Sequence, residues 1–185
     1  GLLGSQWLAA HPPFPAGRIA ADINVDMIGW FGKTRDLTMI GLGKSSLDAD
    51  VEALAALQGR TVKPDAFPDR GAFYRSDQYS LAQVGIPAAY LGGGNDVIGK
   101  PEGFGRQERE RFEKSDYHQP SDAFREDWDL SGAVEDVQLD FYLGCRLANA
   151  KGMPVWKSGD EFEPARRKAL AEAAKDAGAL NPPVR

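Results

Sequence analysis

The sequence predicts an α/β fold, a three-layer α/β/α sandwich around a mixed, largely parallel sheet. Segments of strand period and of helix period alternate as β-α-β-α-β between residues 19 and 91, the rhythm of such sheets. Ile86-Pro87-Ala88-Ala89-Tyr90-Leu91 is nearly continuous in apolar character, as in a strand covered on both faces. With 185 residues, 42% of them hydrophobic and 26% charged, the chain is large enough to bury a core.

Gln6 to Ala10 reads as a helix stopped by His11-Pro12-Pro13, because a residue before proline is driven out of the helical region. His11 is therefore a helix-end residue rather than a ligand. Residues 19–28 put Asp22, Asn24 and Asp26 on one face and Ile23, Val25 and Met27 on the other, the period of a strand. Residues 36–42 form a second strand, closed by Gly41 and Gly43. Leu47, Val51, Leu54 and Leu57 share one side of a helix over 46–58, capped by Ser45 or Ser46 and ended by Gly59. Residues 61–64 suit a short strand, and Ser76 or Asp77 caps a helix running to Val84 before Gly85 and the apolar strand.

The long stretch from Gly92 to Ser115 reads as irregular, and residues 106–116 hold charges of both signs, a solvated turn or short helix. A connection of this length in a compact domain is usually functional or mobile, and it ends at Tyr117-His118. Residues 131–150 close the domain as a helix with Val134, Val137, Phe141 and Ala148 on its core stripe. Cys145 in that helix reads as a buried thiol. The unit extends to about residue 155, and residues 156–185 form a helical, peripheral tail.

A net charge of −5 and a pI near 5.1 argue against nucleic acid as a partner. No apolar run approaches the roughly 18 residues of a membrane span. The single cysteine excludes an internal disulfide. Gly92-Gly93-Gly94 lacks the spacing of a phosphate loop.

Two short segments carry the chemistry. Ile23-Asn24-Val25-Asp26-Met27-Ile28-Gly29 ends a strand where ligand sites of such sheets gather. Asp116-Tyr117-His118-Gln119-Pro120-Ser121-Asp122 is a turn in which Asp122 is placed to hold the His118 ring. Carboxylate oxygen and imidazole nitrogen suit zinc. Each residue also has a plain structural reading, Asp26 as a cap and His118 as a turn histidine.

Leu2-Leu3-Gly4-Ser5, Asn24-Val25-Asp26-Met27-Ile28-Gly29, Arg75-Ser76-Asp77 leading into Gly85-Ile86-Pro87-Ala88, and Tyr117-His118-Gln119-Pro120-Ser121-Asp122 occur in this order. Together they resemble the di-zinc exopeptidases that include aminopeptidase Y, bacterial leucyl aminopeptidases and glutamate carboxypeptidase. The resemblance covers about residues 1–150 and corresponds to the C-terminal half of that catalytic domain. It implies two zinc ions, with Asp26 and His118 each a ligand of one of them. It also implies that Tyr117 donates a hydrogen bond to the oxyanion, and that the substrates are peptides.

In that family the first histidine, a bridging aspartate and a Glu-Glu pair come from an upstream segment, so the chain is expected to be an inactive fragment whose open sheet edge invites self-association. Its start, Gly1-Leu2-Leu3-Gly4-Ser5, carries no Met or leader pattern. The family often has Ser-Asp-His where this chain has Ser76-Asp77-Gln78. The alternatives are a non-catalytic binding or assembly module and a glutaminyl cyclase-like enzyme. Many relatives are exported, so periplasm or exterior is the expected location.

Overall fold

A computed structural model describes residues 1–180; the last five residues of the predicted tail lie outside the described part. Four strands, β1 (Asp22–Asn24), β2 (Asp36–Ile40), β3 (Thr61–Pro64) and β4 (Ala88–Gly93), form an open sheet in the order β1-β4-β2-β3. β1 and β4 run parallel, as do β2 and β3, while β2 and β4 are antiparallel. Six α-helices surround the sheet: α1 (Leu3–Ala10), α2 (Leu47–Leu57), α3 (Gln78–Gln83), α4 (Phe104–Ser115), α5 (Ser131–Ala148) and α6 (Glu163–Leu180). The predicted α/β class is the observed one.

Strand alternation divides the core. Leu37, Met39, Ala89 and Leu91 point to one face and pack against Leu47, Val51 and Ala55 of α2 and Leu139 and Leu143 of α5. On the other face Ala88 joins Phe73, Ala82, Trp156 and Phe162. The predicted strand over 19–28 pairs only at Asp22–Asn24, opposite Ala88–Tyr90, so Val25 and Asp26 have already left the sheet.

The predicted core stripe of α5 faces solvent: Val134, Val137 and Phe141 are 55%, 53% and 66% exposed. The buried face is Gly132, Ala133, Asp136, Leu139 and Leu143. A charge occupies a core position because Asp136 Oδ1 accepts from Nη1 of the buried Arg60 at 2.7 Å. That pair gives each desolvated ion a partner and shares the inner face with Leu139 and Leu143. Cys145 lies outside as well and is exposed rather than buried.

Capping agrees with expectation at Ser45 and departs from it elsewhere. Ser45 Oγ accepts from the Leu47 amide at 3.2 Å, whereas Ser46 Oγ accepts from the Val155 amide at 3.0 Å. Neither Ser76 nor Asp77 caps α3 through its side chain.

The C-terminal helix is not peripheral. Arg166 is 1% exposed, and its guanidinium donates to the carbonyls of Pro154, Ala16, Ile19 and Ala20. Two glycines allow that approach. A Cβ on Gly17 would stand 2.1 Å from the Ala169 carbonyl oxygen, and one on Gly85 (φ +91°) 2.4 Å from the Arg166 amide.

Candidate functional site

β1 and β4 end side by side, and the antiparallel β2 begins next to the end of β4. Open space therefore collects beyond the carboxyl ends of β1 and β4. Asp26 follows β1 by two residues, and Gly92 and Gly93 close β4 opposite Thr38 and Leu37. A cavity of about 490 Å³ opens here, lined among others by Asp26, Met27, Ser76, Asp77, Tyr90 and His118.

A polar chain holds Asp26. Ser76 Oγ donates to Asp26 Oδ2 at 2.5 Å, and Asn24 Nδ2 donates to Ser76 Oγ and to Gln78 Oε1, each at 3.1 Å. Gln78, with no exposed surface, donates in turn to the Phe73 carbonyl at 2.8 Å. The serine predicted as a helix cap instead orients a carboxylate, because the 75–77 turn delivers it to the end of β1. Tyr90 stands in the same group. Burial, and then the charge of Asp26, push its phenol up to about 12, so it remains protonated, while a hydrogen bond to Ser76 acts in the opposite sense. Deeper along β1, burial and then Asp77 raise the Asp22 carboxyl to about 6.

The opposite wall comes from α4, a 12-residue helix that realises the short-helix alternative for residues 106–116 and begins two residues earlier, inside the stretch read as irregular. Its start is pressed against the loop after β4. A Cβ on Gly105 would lie 2.6 Å from the Asn95 carbonyl oxygen, so only glycine permits this approach. One turn later Arg109 Nη2 donates to the Gly93 carbonyl at 2.6 Å. Burial pulls the Arg109 guanidinium below its usual pKa, with Asp136 and Asp36 acting against the shift. At the rim, Arg70 pairs with Glu113 of α4, and the Phe67 ring lies 3.8 Å from the Arg70 guanidinium and 4.8 Å from that of Arg106.

α4 ends at Ser115 and delivers Tyr117 and His118 to the cavity. The Tyr117 amide still donates to the Phe112 carbonyl at 3.0 Å. His118 then takes φ +58°, a left-handed backbone that a non-glycine residue adopts only where its surroundings impose it. Its ring stacks on Tyr117 with centroids 3.9 Å apart. The expected contact to Asp122 is not made: among the described residues the Asp122 amide bonds to the Gln119 carbonyl and no hydrogen bond joins its carboxylate to His118.

All three sequence-predicted residues, Asp26, Tyr117 and His118, thus line one cavity. Ser76, Asn24, Tyr90 and Arg109 were not predicted. Asn24 and Ser76 lie inside the quoted motifs, but nothing in the linear order shows that they touch. The donor chemistry suits zinc; the donor number does not. Among the described residues no three His, Cys, Asp or Glu side chains stand close enough together to hold a metal ion. Asp26 and His118 both line the cavity but belong to no such group.

A sequence model described as peptidase family M28 matches residues 1–142. No curated protein and no solved structure gave a match.

Proposed function

Since the chain belongs to peptidase family M28, whose members are typically zinc-dependent peptidases, we propose that its cavity is the substrate cleft of an aminopeptidase-type exopeptidase. The reading rests on one observation: Asp26 and the adjacent pair Tyr117-His118, distant from it in the chain, line the same cavity of about 490 Å³. In this reading Asp26 and His118 are metal donors. Zinc bound there would supply an acidified water and a polarised carbonyl.

The chain's own residues do the rest of the work assigned to it. Ser76, held by Asn24, fixes the orientation of the Asp26 carboxylate, as partners of ligating carboxylates generally do. The Tyr117 hydroxyl donates a hydrogen bond to the oxygen on which negative charge develops. Tyr90, kept protonated, presents a neutral wall beside Asp26.

Because two donors do not make a catalytic metal centre, the reading includes two further statements. The remaining donors and the general base lie outside the described residues, and the 185-residue chain alone does not turn over peptides. The same incomplete donor set favours, as a second reading, a binding module on this fold. Zinc titration of the purified chain, followed calorimetrically and paired with an aminoacyl-anilide assay, separates them. The peptidase reading expects weak zinc binding that falls about tenfold or more in His118→Ala and in Asp26→Ala, with no turnover. Zinc binding untouched by both substitutions supports the binding module, and chelator-sensitive turnover by this chain overturns the inactivity. By resemblance to exported relatives, the proposed location is the periplasm or the exterior.

A further inference from the structure

Residues 65–72 run along the rim of the cavity between two anchored ends. β3 holds the near end, where Pro64 pairs with Met39. Phe73, 7% exposed and packed with Trp156 and Phe162, holds the far end. Between these anchors the backbone is tied only to itself and its immediate neighbours. Among the described residues, the Phe67 amide donates to Asp65 Oδ1, the Arg70 amide to the Phe67 carbonyl and the Gly71 amide to the Pro68 carbonyl. The carbonyls of Arg70, Gly71 and Ala72 accept only from Arg75 and Tyr74. Two single helical turns, Pro68–Arg70 and Ala72–Tyr74, meet at Gly71, where φ is +63° and a Cβ would meet nothing within 4 Å. A segment with so few backbone bonds to the rest of the fold opens at low cost.

Two side-chain contacts to α4 hold this segment down. Arg70 pairs with Glu113, their side chains 32% and 38% exposed, and the Phe67 ring lies 4.8 Å from the Arg106 guanidinium. Arg106 and Glu113 stand near the two ends of α4, about 10 Å apart along its axis. Asp65, Ala66, Phe67 and Arg70 line the cavity from one side, and Glu113 and Tyr117 from the other, so the contacts bridge its two walls. Ties of this kind are weak and salt screens them. Arg106 also has a partner on its own helix, Glu110 at 3.2 Å, which keeps it paired when Phe67 leaves.

We propose that residues 65–72 form a strap that opens and closes the cavity, latched to α4 by the Arg70–Glu113 pair and by Phe67 against Arg106. The structure holds the closed state. Release of the two contacts moves Phe67 and Arg70 away from α4 and widens the way to Asp26 and His118. This inference rests on the peptidase reading only in taking a peptide as what enters; the latch itself needs no metal and no turnover.

The test reads access to the cavity with a thiol. Met27, partly buried on the cavity wall, is substituted in a chain without the native thiol, Met27→Cys with Cys145→Ser. Its alkylation by N-ethylmaleimide, a neutral reagent, is then timed. The rate should rise roughly threefold or more from low salt to about 1 M sodium chloride, as when a partly exposed ion pair is screened. Glu113→Gln should give the fast rate already at low salt and remove the salt response. Hydrogen exchange of the chain with Met27 and Cys145 in place, read by mass spectrometry, gives a second measurement. There Glu113→Gln should speed exchange of residues 65–72 by a similar factor and leave β2 and β4 unchanged. If Met27→Cys loses its circular dichroism spectrum, exchange decides alone.

Equal thiol rates at both salt concentrations and in Glu113→Gln, exchange of residues 65–72 untouched by that substitution, or faster exchange spread over the whole chain overturns the strap. A strap that opens in a chain whose complete enzyme never hydrolyses peptides keeps this inference and loses the peptidase reading. A peptidase with a fixed strap does the reverse.

Discussion

At Asp26 the decisive fact is a hydroxyl. The 2.5 Å hydrogen bond from Ser76 leaves one carboxylate oxygen oriented toward the cavity, so Ser76→Ala frees the side chain to rotate. Zinc affinity of the chain should drop about tenfold while the urea midpoint shifts little, a separation readable by competition with a chromophoric chelator. Arg166 is the opposite case, a side chain with no place in the cavity and a large structural role. Arg166→Met removes donors from four carbonyls, and a loss of about 3 kcal/mol is expected from urea denaturation. Asp26 and His118 stand out in the sequence because a carboxylate at a strand end and an imidazole in a turn are ligand types. Tyr117 stands out only through the family resemblance, and the structure sets all three on one cavity. Ser76, Asn24 and Arg109 do not stand out, because a serine, an asparagine or one arginine among many charges becomes informative only when its neighbour in space is known.

Elements were legible where local chemistry agreed with tertiary environment. α2 shows this for most of its length: Leu47, Val51 and Leu54 face the core and Gly59 stops the helix at φ +71°, although Leu57, the last of the predicted stripe, is 84% exposed. α5 shows the failure. Its predicted stripe points to solvent, while the inner face combines Leu139 and Leu143 with Asp136, paired to the buried Arg60, and hydrophobic periodicity has no means of anticipating a buried ion pair. Phe141→Ser should therefore change stability by no more than about 0.5 kcal/mol in denaturant titrations, where a core phenylalanine would lose several. α4 was legible only in part. Eleven residues dense in charge read equally as a solvated turn or a short helix, and the helix is decided by its surroundings: Phe112 and the Arg109 stem supply one buried side, and pairs such as Arg106–Glu110 cover the other. Glycines divide in the same way. Gly59→Ala meets open space, whereas Gly85→Ala combines a left-handed backbone with a 2.4 Å clash against α6. The first should cost about 1 kcal/mol and the second clearly more, a difference that parallel thermal melts would display.

For the whole molecule, buried acids shape the response to pH: burial raises Asp136 against the pull of Arg60, and the larger shifts are at Asp140 and Asp22. Burial, then the charge of Asp136, lifts Asp140 to about 7, and burial, then Asp77, lifts Asp22 to about 6. Both folded values exceed the ordinary 3.8, so the native state retains protons that the unfolded chain has released. Their effect on stability is absent well below pH 4, grows unfavourable as pH rises, and levels off above about 7. Thermal midpoints should fall between pH 4.5 and 7.5, and Asp140→Asn should flatten that slope and raise the midpoint at pH 7.5 by roughly 2–4 °C.

The overall α/β plan could be read from the order of its segments. Two things could not: the antiparallel pairing of β2 with β4, and the return of α6 to the N-terminal region. Both are long-range associations that local pattern does not encode.

That return has a consequence for biosynthesis. Arg166 closes on carbonyls of residues 16–20, 146 to 150 positions earlier in the chain, so that segment waits for one made much later. The turn at Ala16–Arg18 and the edge strand that follows it gain these partners only once α6 has left the ribosome. Completion of this fold therefore follows the synthesis of α6, and stalled nascent chains should stay protease-sensitive around residues 14–21 until α6 has emerged.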